Sequence, residues 1–374
     1  MHSTSPSPVR WMPHNHDTGW LTRWSTRRSA NVTTECERDI LEIGGTLSLE
    51  TAAEPDLPTG GAPPRKPPEP EGCLMIVVTG ATGHLGNNLV RKLTERGERV
   101  RCLVLPGESL RPLAGLEVDV ARGDVRNLDD LLRAFEGADV VYHLASVIAL
   151  TPARARLAEE VNVEGTRNVV SACLETGVRR LVYVSSIHAL VEPPHGTVID
   201  ESAPFDPSRI SFPYGRSKAR ASLEVLEAVE RGLDAVIVCP TGIIGPHDYV
   251  PSEMGELFIT FARGGLPAYV DGGYDFVDSR DVAAGLISAA RLGRAGEVYV
   301  VFGERITVRE LLLPLEELAG VKALRLRLTA QVADGLVPPC RRLLPPQRPE
   351  GRVHLRLALL PEEQRGGLVG EGQA

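Results

Sequence analysis

The 374-residue chain has little of what marks several protein classes. No apolar run approaches the roughly 20 residues that a membrane-spanning helix needs, so no membrane partner is expected. The opening stretch, MHSTSPSPVRWMPHNH, lacks the apolar core of a secretory signal. Positive charge is in deficit, with 41 Lys and Arg against 49 Asp and Glu for a net charge of -8. A nucleic-acid partner is therefore not expected, because displacing phosphate counterions needs a basic face. Cysteines number six, none in a C-x-x-C pair or at ligand spacing to a histidine, so neither a disulfide framework nor a metal site is expected. Cys102, Cys173 and Cys239 stand in apolar stretches and read as buried, reduced thiols of a cytoplasmic protein.

What is present divides into three blocks. Residues 1–72 hold the Pro-rich run Ala62-Pro63-Pro64-Arg65-Lys66-Pro67-Pro68-Glu69-Pro70 and no sustained apolar period. Such a segment cannot offset its ordering entropy, and a disordered extension is expected. Over 73–321, short β-branched runs alternate with amphipathic stretches. Strands are expected at Ile76–Thr79, Val100–Leu105, Val140–Leu144, Leu181–Ser185, Ala235–Cys239 and Glu297–Val301. Helices are expected at Leu85–Arg96, Leu128–Phe135, Glu159–Thr176 and Ser217–Arg231. This alternation predicts an α/β fold, a doubly wound parallel sheet with a small C-terminal lobe over about 240–321. From 322 to 374 the pattern gives way to Leu/Arg alternation and Pro pairs, which predicts a poorly ordered tail.

Met75 to Gly86 reads as a strand, a glycine turn and a helix start. Gly80 permits a tight turn, Gly83 lets a ligand approach the backbone, and Gly86 lets the helix pack on the strand. The amides around Thr82, Gly83, His84, Leu85 and Gly86, at the positive end of that helix, suit a phosphate. A second motif, Tyr214-Gly215-Arg216-Ser217-Lys218, places a phenol and an ammonium one helical turn apart on one face. A phenol is a poor base at neutral pH, and a neighbouring positive charge favours its ionised form.

The T-G-x-x-G-x-x-G loop and the Tyr-x-x-x-Lys resemble those of the extended short-chain dehydrogenase/reductases, over about residues 75–320. The resemblance implies a Rossmann-type sheet, a nicotinamide dinucleotide and specific roles. Asp124, with Val125 after it, is implied beside the adenine, and Leu144, Ala145 and Ser146 beside the nicotinamide ribose. Pro240, Thr241, Gly242 and Ile243 are implied on the nicotinamide side. Asn162 is implied to support a proton relay, Tyr214 to carry the proton, and Lys218 to bond the ribose hydroxyls. Ser186 is implied to hold the substrate oxygen, with Ser185 as the alternative because a one-residue slip turns the side chain over. Asp281 is implied to cap a late helix, with a direct ligand role as the alternative.

The texture is nearest the dihydroflavonol-reductase and hydroxysteroid-dehydrogenase-like branch. Ile187-His188 stands where sugar-nucleotide dehydratases carry Asp-Glu. The branch implies an NAD(P)-dependent oxidoreductase acting on the carbonyl or alcohol of a moderately apolar small molecule. A nucleotide-sugar epimerase and a catalytically weak dinucleotide-binding regulator are the alternatives. The second strand ends in Leu105-Pro106-Gly107 without an acid for a ribose 2′-hydroxyl, while Arg111 or Arg101 suits a 2′-phosphate, so NADP is expected ahead of NAD. The helices at 159–176 and 217–231 resemble those that pair across a two-fold axis in relatives, which implies a homodimer.

Overall fold

The computed structural model describes residues 74–322, apart from 150–151, 195–196, 265–268 and 271, together with 327–328. The expected extension at 1–72 and, but for these few residues, the expected tail at 322–374 lie outside the described residues.

In chain order the main elements begin with β1 (Met75–Thr79), α1 (His84–Glu95), β2 (Arg99–Val104), β3 (Asp119–Arg122), α2 (Leu128–Phe135) and β4 (Val140–His143). Then come α3 (Gly165–Thr176), β5 (Arg180–Val184), α4 (Pro213–Glu230), β6 (Ala235–Pro240), β7 (Gly242–Ile244), α5 (Glu253–Ala262) and β8 (Tyr269–Val270). The last are β9 (Gly273–Asp278), α6 (Ser279–Leu292), β10 (Val298–Val301), β11 (Glu304–Thr307), α7 (Val308–Ala319) and β12 (Arg327–Leu328). Seven strands form one parallel sheet in the order β10-β6-β5-β4-β1-β2-β3.

Why β1 is apolar at consecutive positions follows from burial on both faces. Ile76 and Val78 pack on Leu89, Val90 and Leu93 of α1 and Val282 and Leu286 of α6. Val77 points the other way, into a core with Leu131 and Phe135 of α2, Val169 and Val170 of α3 and Val225 of α4. This is the expected α/β fold with a doubly wound sheet. Strand order reverses between β1 and β4, so the loops at their carboxyl ends diverge and leave a crevice.

Four local expectations need correcting. β3 escaped notice by its own residues because Asp119 and Val120 are exposed at the sheet edge and carry no apolar pattern. The helix expected from Ser217 starts at Pro213, whose fixed φ suits the first helical position. The single helix expected over 159–176 is a π-helical stretch, Glu159–Glu164, running into α3. Finally, the cap of α6 is Asp278, which accepts from Arg280 N at 2.8 Å, and Asp281 lies inside the first turn. Beyond the main sheet, β9 pairs antiparallel with β11 and parallel with β7, which sets a second, three-stranded layer after β6.

Candidate active site

The glycine turn is built to an anion's requirements. Gly80 has φ +72°, and a Cβ there would sit 2.7 Å from Ala145 N. A Cβ on Gly86 would overlap Gly80 O, so the helix packs directly on the turn. At Gly83, by contrast, a Cβ would meet only Gly80 O, at 3.3 Å. That side of the loop is open. Gly83 caps α1 without a side-chain bond, and no acid occupies the first turn, so the first helical amides are left for a phosphate. His84 Nε2 donates to Gly245 O at 3.1 Å and Leu85 packs against the core, which fixes the loop from behind. These residues fit the diphosphate of a dinucleotide.

An acid absent from the end of β2 arrives from further along. Thr82 Oγ1 donates to Glu108 Oε1 at 2.7 Å, and Leu105 N donates to Glu108 Oε2 at 3.3 Å. Arg122 holds that turn by donating to Leu105 O and Glu108 O, both at 2.9 Å. Arg101 cannot serve a 2′-phosphate here, because its guanidinium bonds Ala134 O and Glu136 O at the end of α2. Asp124 is gripped by Arg126 at 2.6 Å, which holds its carboxyl below the usual range. Val125 is buried in the core, and its carbonyl accepts from Asn168 Nδ2 at 3.1 Å.

At the ends of β1 and β4 a hydrogen-bonded chain fixes the backbone. Ala145 N donates to Thr79 Oγ1 (3.2 Å), which bonds His143 Nδ1 (2.7 Å). His143 Nε2 meets Thr166 Oγ1 at 3.0 Å, and that hydroxyl donates to Asn162 O at 2.6 Å. Because the Thr166 hydroxyl is already donating, His143 Nε2 carries the proton and Nδ1 accepts from Thr79. Leu144 N completes the set by donating to Thr79 O at 3.2 Å.

Tyr214 is half-buried beside Ser186 and Ser146. Burial pushes its phenol up to about 12, with the Ser186 hydroxyl pulling the other way. The two serines at the end of β5 point differently. Ser185 Oγ lies 2.8 Å from Ser222 Oγ on α4, while Ser186, whose Oγ accepts from His188 N at 3.2 Å, stands beside the phenol. Lys218 is buried, and desolvation pushes its amine down to about 7. Its Nζ donates to Val184 O at 2.6 Å and lies 4.7 Å from the centroid of the Tyr183 ring.

Asn162 is placed by the π-helical stretch, which inserts an extra residue per turn and re-aims side chains. Its amide clamps Val147, accepting from Val147 N at 2.7 Å and donating to Val147 O at 3.0 Å, and it also donates to Ser217 Oγ at 2.9 Å.

The segment after β6 is partly structural. Thr241 Oγ1 donates to Asp275 Oδ1 at 2.6 Å, tying β6 to β9, and Ile243 packs on the core. Pro240 is buried, and a Cβ on Gly242 would press into the Tyr274 ring at 2.6 Å. Tyr274 OH lies 2.7 Å from His188 Nε2, and Phe212 meets the same imidazole edge-on. Desolvation pushes His188 down to about 4, so the ring is neutral at neutral pH. Reading residues singly had missed Glu108, Tyr274 and the side chain of His188; for the last, its place two residues after Ser186 was the available signal.

A model of the NAD dependent epimerase/dehydratase family matches residues 76–301. "Sterol demethylase protein B" of Methylococcus capsulatus is 38% identical over 78% of this chain and 90% of its own length. A "Putative dihydroflavonol 4-reductase" of Synechocystis is 36% identical over 66% of this chain and 73% of its own. Among solved structures, gox2253 is similar with a TM-score of 0.65 and 33% identity, covering 79% of this chain and 92% of that one.

Proposed function

The chain belongs to the NAD dependent epimerase/dehydratase family, and from that membership we propose that it reduces a ketone or aldehyde, or oxidises the matching alcohol, on a moderately apolar small molecule. The observation that carries this reading is the meeting of Tyr214 and Ser186 beside a buried Lys218. The nicotinamide, when bound, supplies the hydride chemistry. Tyr214 Oη donates a proton to the carbonyl oxygen, or takes one from the alcohol. Ser186 Oγ holds that same oxygen and stabilises the charge that develops on it. Lys218 Nζ, already positioned at the end of β5 by Val184 O, is available to the ribose hydroxyls.

For the cofactor we favour NAD, reversing the expectation of NADP. Glu108 and Thr82 present a carboxylate and a hydroxyl beside the glycine loop, a setting that accepts from ribose hydroxyls and repels a 2′-phosphate. The apolar substrate is supported by relatives named for a sterol and for dihydroflavonol and by Ile187 in place of an acid after Ser186.

The test is NADH consumption at 340 nm across a panel of ring ketones and aldehydes, steroidal and flavanone ketones included. Oxidation of NADH on at least one of them is expected. Binding of NADH with no consumption across the panel, together with conversion of a UDP-sugar to its epimer, would replace this reading by an epimerase.

A further inference from the structure

Ser146 of the candidate site carries a buried hydroxyl that the described fold leaves unanswered. Its Oγ is sealed from solvent and has no hydrogen-bond partner among the described residues. Buried hydroxyls in native structures are nearly always paired, so such an atom points to a partner that appears during function. The backbone on either side is held firmly. Ala145 N is bonded to Thr79 Oγ1, and both polar groups of Val147 are bonded to the Asn162 amide. The hydroxyl is therefore presented from a fixed backbone, and it lies beside the phenol of Tyr214. Catalytic hydrogen bonds are often long or misaligned before the reacting state forms.

We propose that Ser146 Oγ donates a hydrogen bond to Tyr214 Oη when the phenol has given up its proton, sharing the phenolate charge with Ser186. In this account Asn162 is a positioning residue, acting on Ser146 through Val147. In the reducing direction the phenol's proton passes to the substrate oxygen and Ser146 keeps its own. Oxidation returns the proton to Tyr214 and the Ser146 bond relaxes. The proposal rests on the reading of Tyr214 as the proton carrier. It gives Ser146 a contact with a reacting atom, where the resemblance implied a contact with the cofactor ribose.

The experiment needs no known substrate. Protein labelled with 13C at tyrosine Cζ is saturated with NAD+, and the Tyr214 resonance is identified by its loss in Tyr214→Phe. The pH titration of that resonance is then compared in wild type, Ser146→Ala and Ser146→Thr, with NAD+ affinity measured alongside. A charge-assisted hydrogen bond predicts that Ser146→Ala raises the phenol by about one pH unit or more. Ser146→Thr, which keeps the hydroxyl, stays near wild type, and NAD+ affinity is unchanged in both. If Ser146→Ala fails to fold, Ser146→Cys, a weaker donor, carries the same expectation of an upward shift. An unmoved titration overturns the proposal. So does a loss of NAD+ affinity with the titration unmoved, which would make Ser146 a ribose ligand. A Tyr214 that stays protonated in NAD+-loaded wild type up to about pH 10.5 is a different failure, that of Tyr214 as the proton carrier.

Discussion

Thr82 Oγ1 donates to Glu108 Oε1 at 2.7 Å, joining the glycine loop to a carboxylate four residues past the end of β2. On the proposed preference for NAD, cofactor choice follows from this contact. Glu108→Lys is expected to reverse the order of affinity for NADH and NADPH, with a swing of about tenfold or more, since one charge-assisted hydrogen bond is lost and one gained. Fluorescence titration with each reduced cofactor measures it. An unchanged ratio would mean that Glu108 does not face the ribose.

The packing of α1 on the glycine turn makes a prediction about stability. Gly86→Ala would drive a Cβ into Gly80 O, which is backbone and cannot rotate away. An overpacking cost of about 1–3 kcal/mol is expected, visible as a lower Tm, together with loss of NADH binding. Gly97→Ala is the control. Its φ of +76° strains an alanine but the space around it is open, so it should lower Tm yet leave NADH binding intact.

Acid should unfold the protein partly through His143. The ring is buried, and desolvation pushes it from 6.5 down to about 3. The folded value lies below the unfolded one, so the unfolded chain takes up its proton first as pH falls. Stability is complete above pH 6.5 and is lost as pH falls from there towards 3. His188, pushed down to about 4, contributes in the same direction. A His143→Leu variant should be less stable at neutral pH yet lose less between about pH 7 and pH 5. Urea unfolding at both pH values reads this, and parallel losses in the two proteins would contradict it.

The parts of the site legible in the sequence are those written in consecutive residues. Met75–Gly86 carries a strand, a turn and a helix start in one stretch, and Tyr214 and Lys218 need only helical spacing to share a face. Legibility ends where an arrangement depends on distant chain. Glu108 reaches the glycine loop from a turn that Arg122 of β3 holds by two carbonyls, and nothing near Glu108 announces that. Asn162 is pointed to by the resemblance, but its clamp on Val147 depends on a π-helical register that apolar spacing does not encode. Ser185 and Ser186 are equivalent as letters. Packing against Ser222 on α4 is what separates them.

Turnover by Tyr214→Phe, on whichever carbonyl the wild-type protein consumes NADH with, tests the central claim most directly. Loss of a general acid typically lowers the rate by about 10²–10⁴-fold. The account predicts a fall in kcat of that order while NADH binds with unchanged affinity. A variant that turns over at the wild-type rate would contradict it.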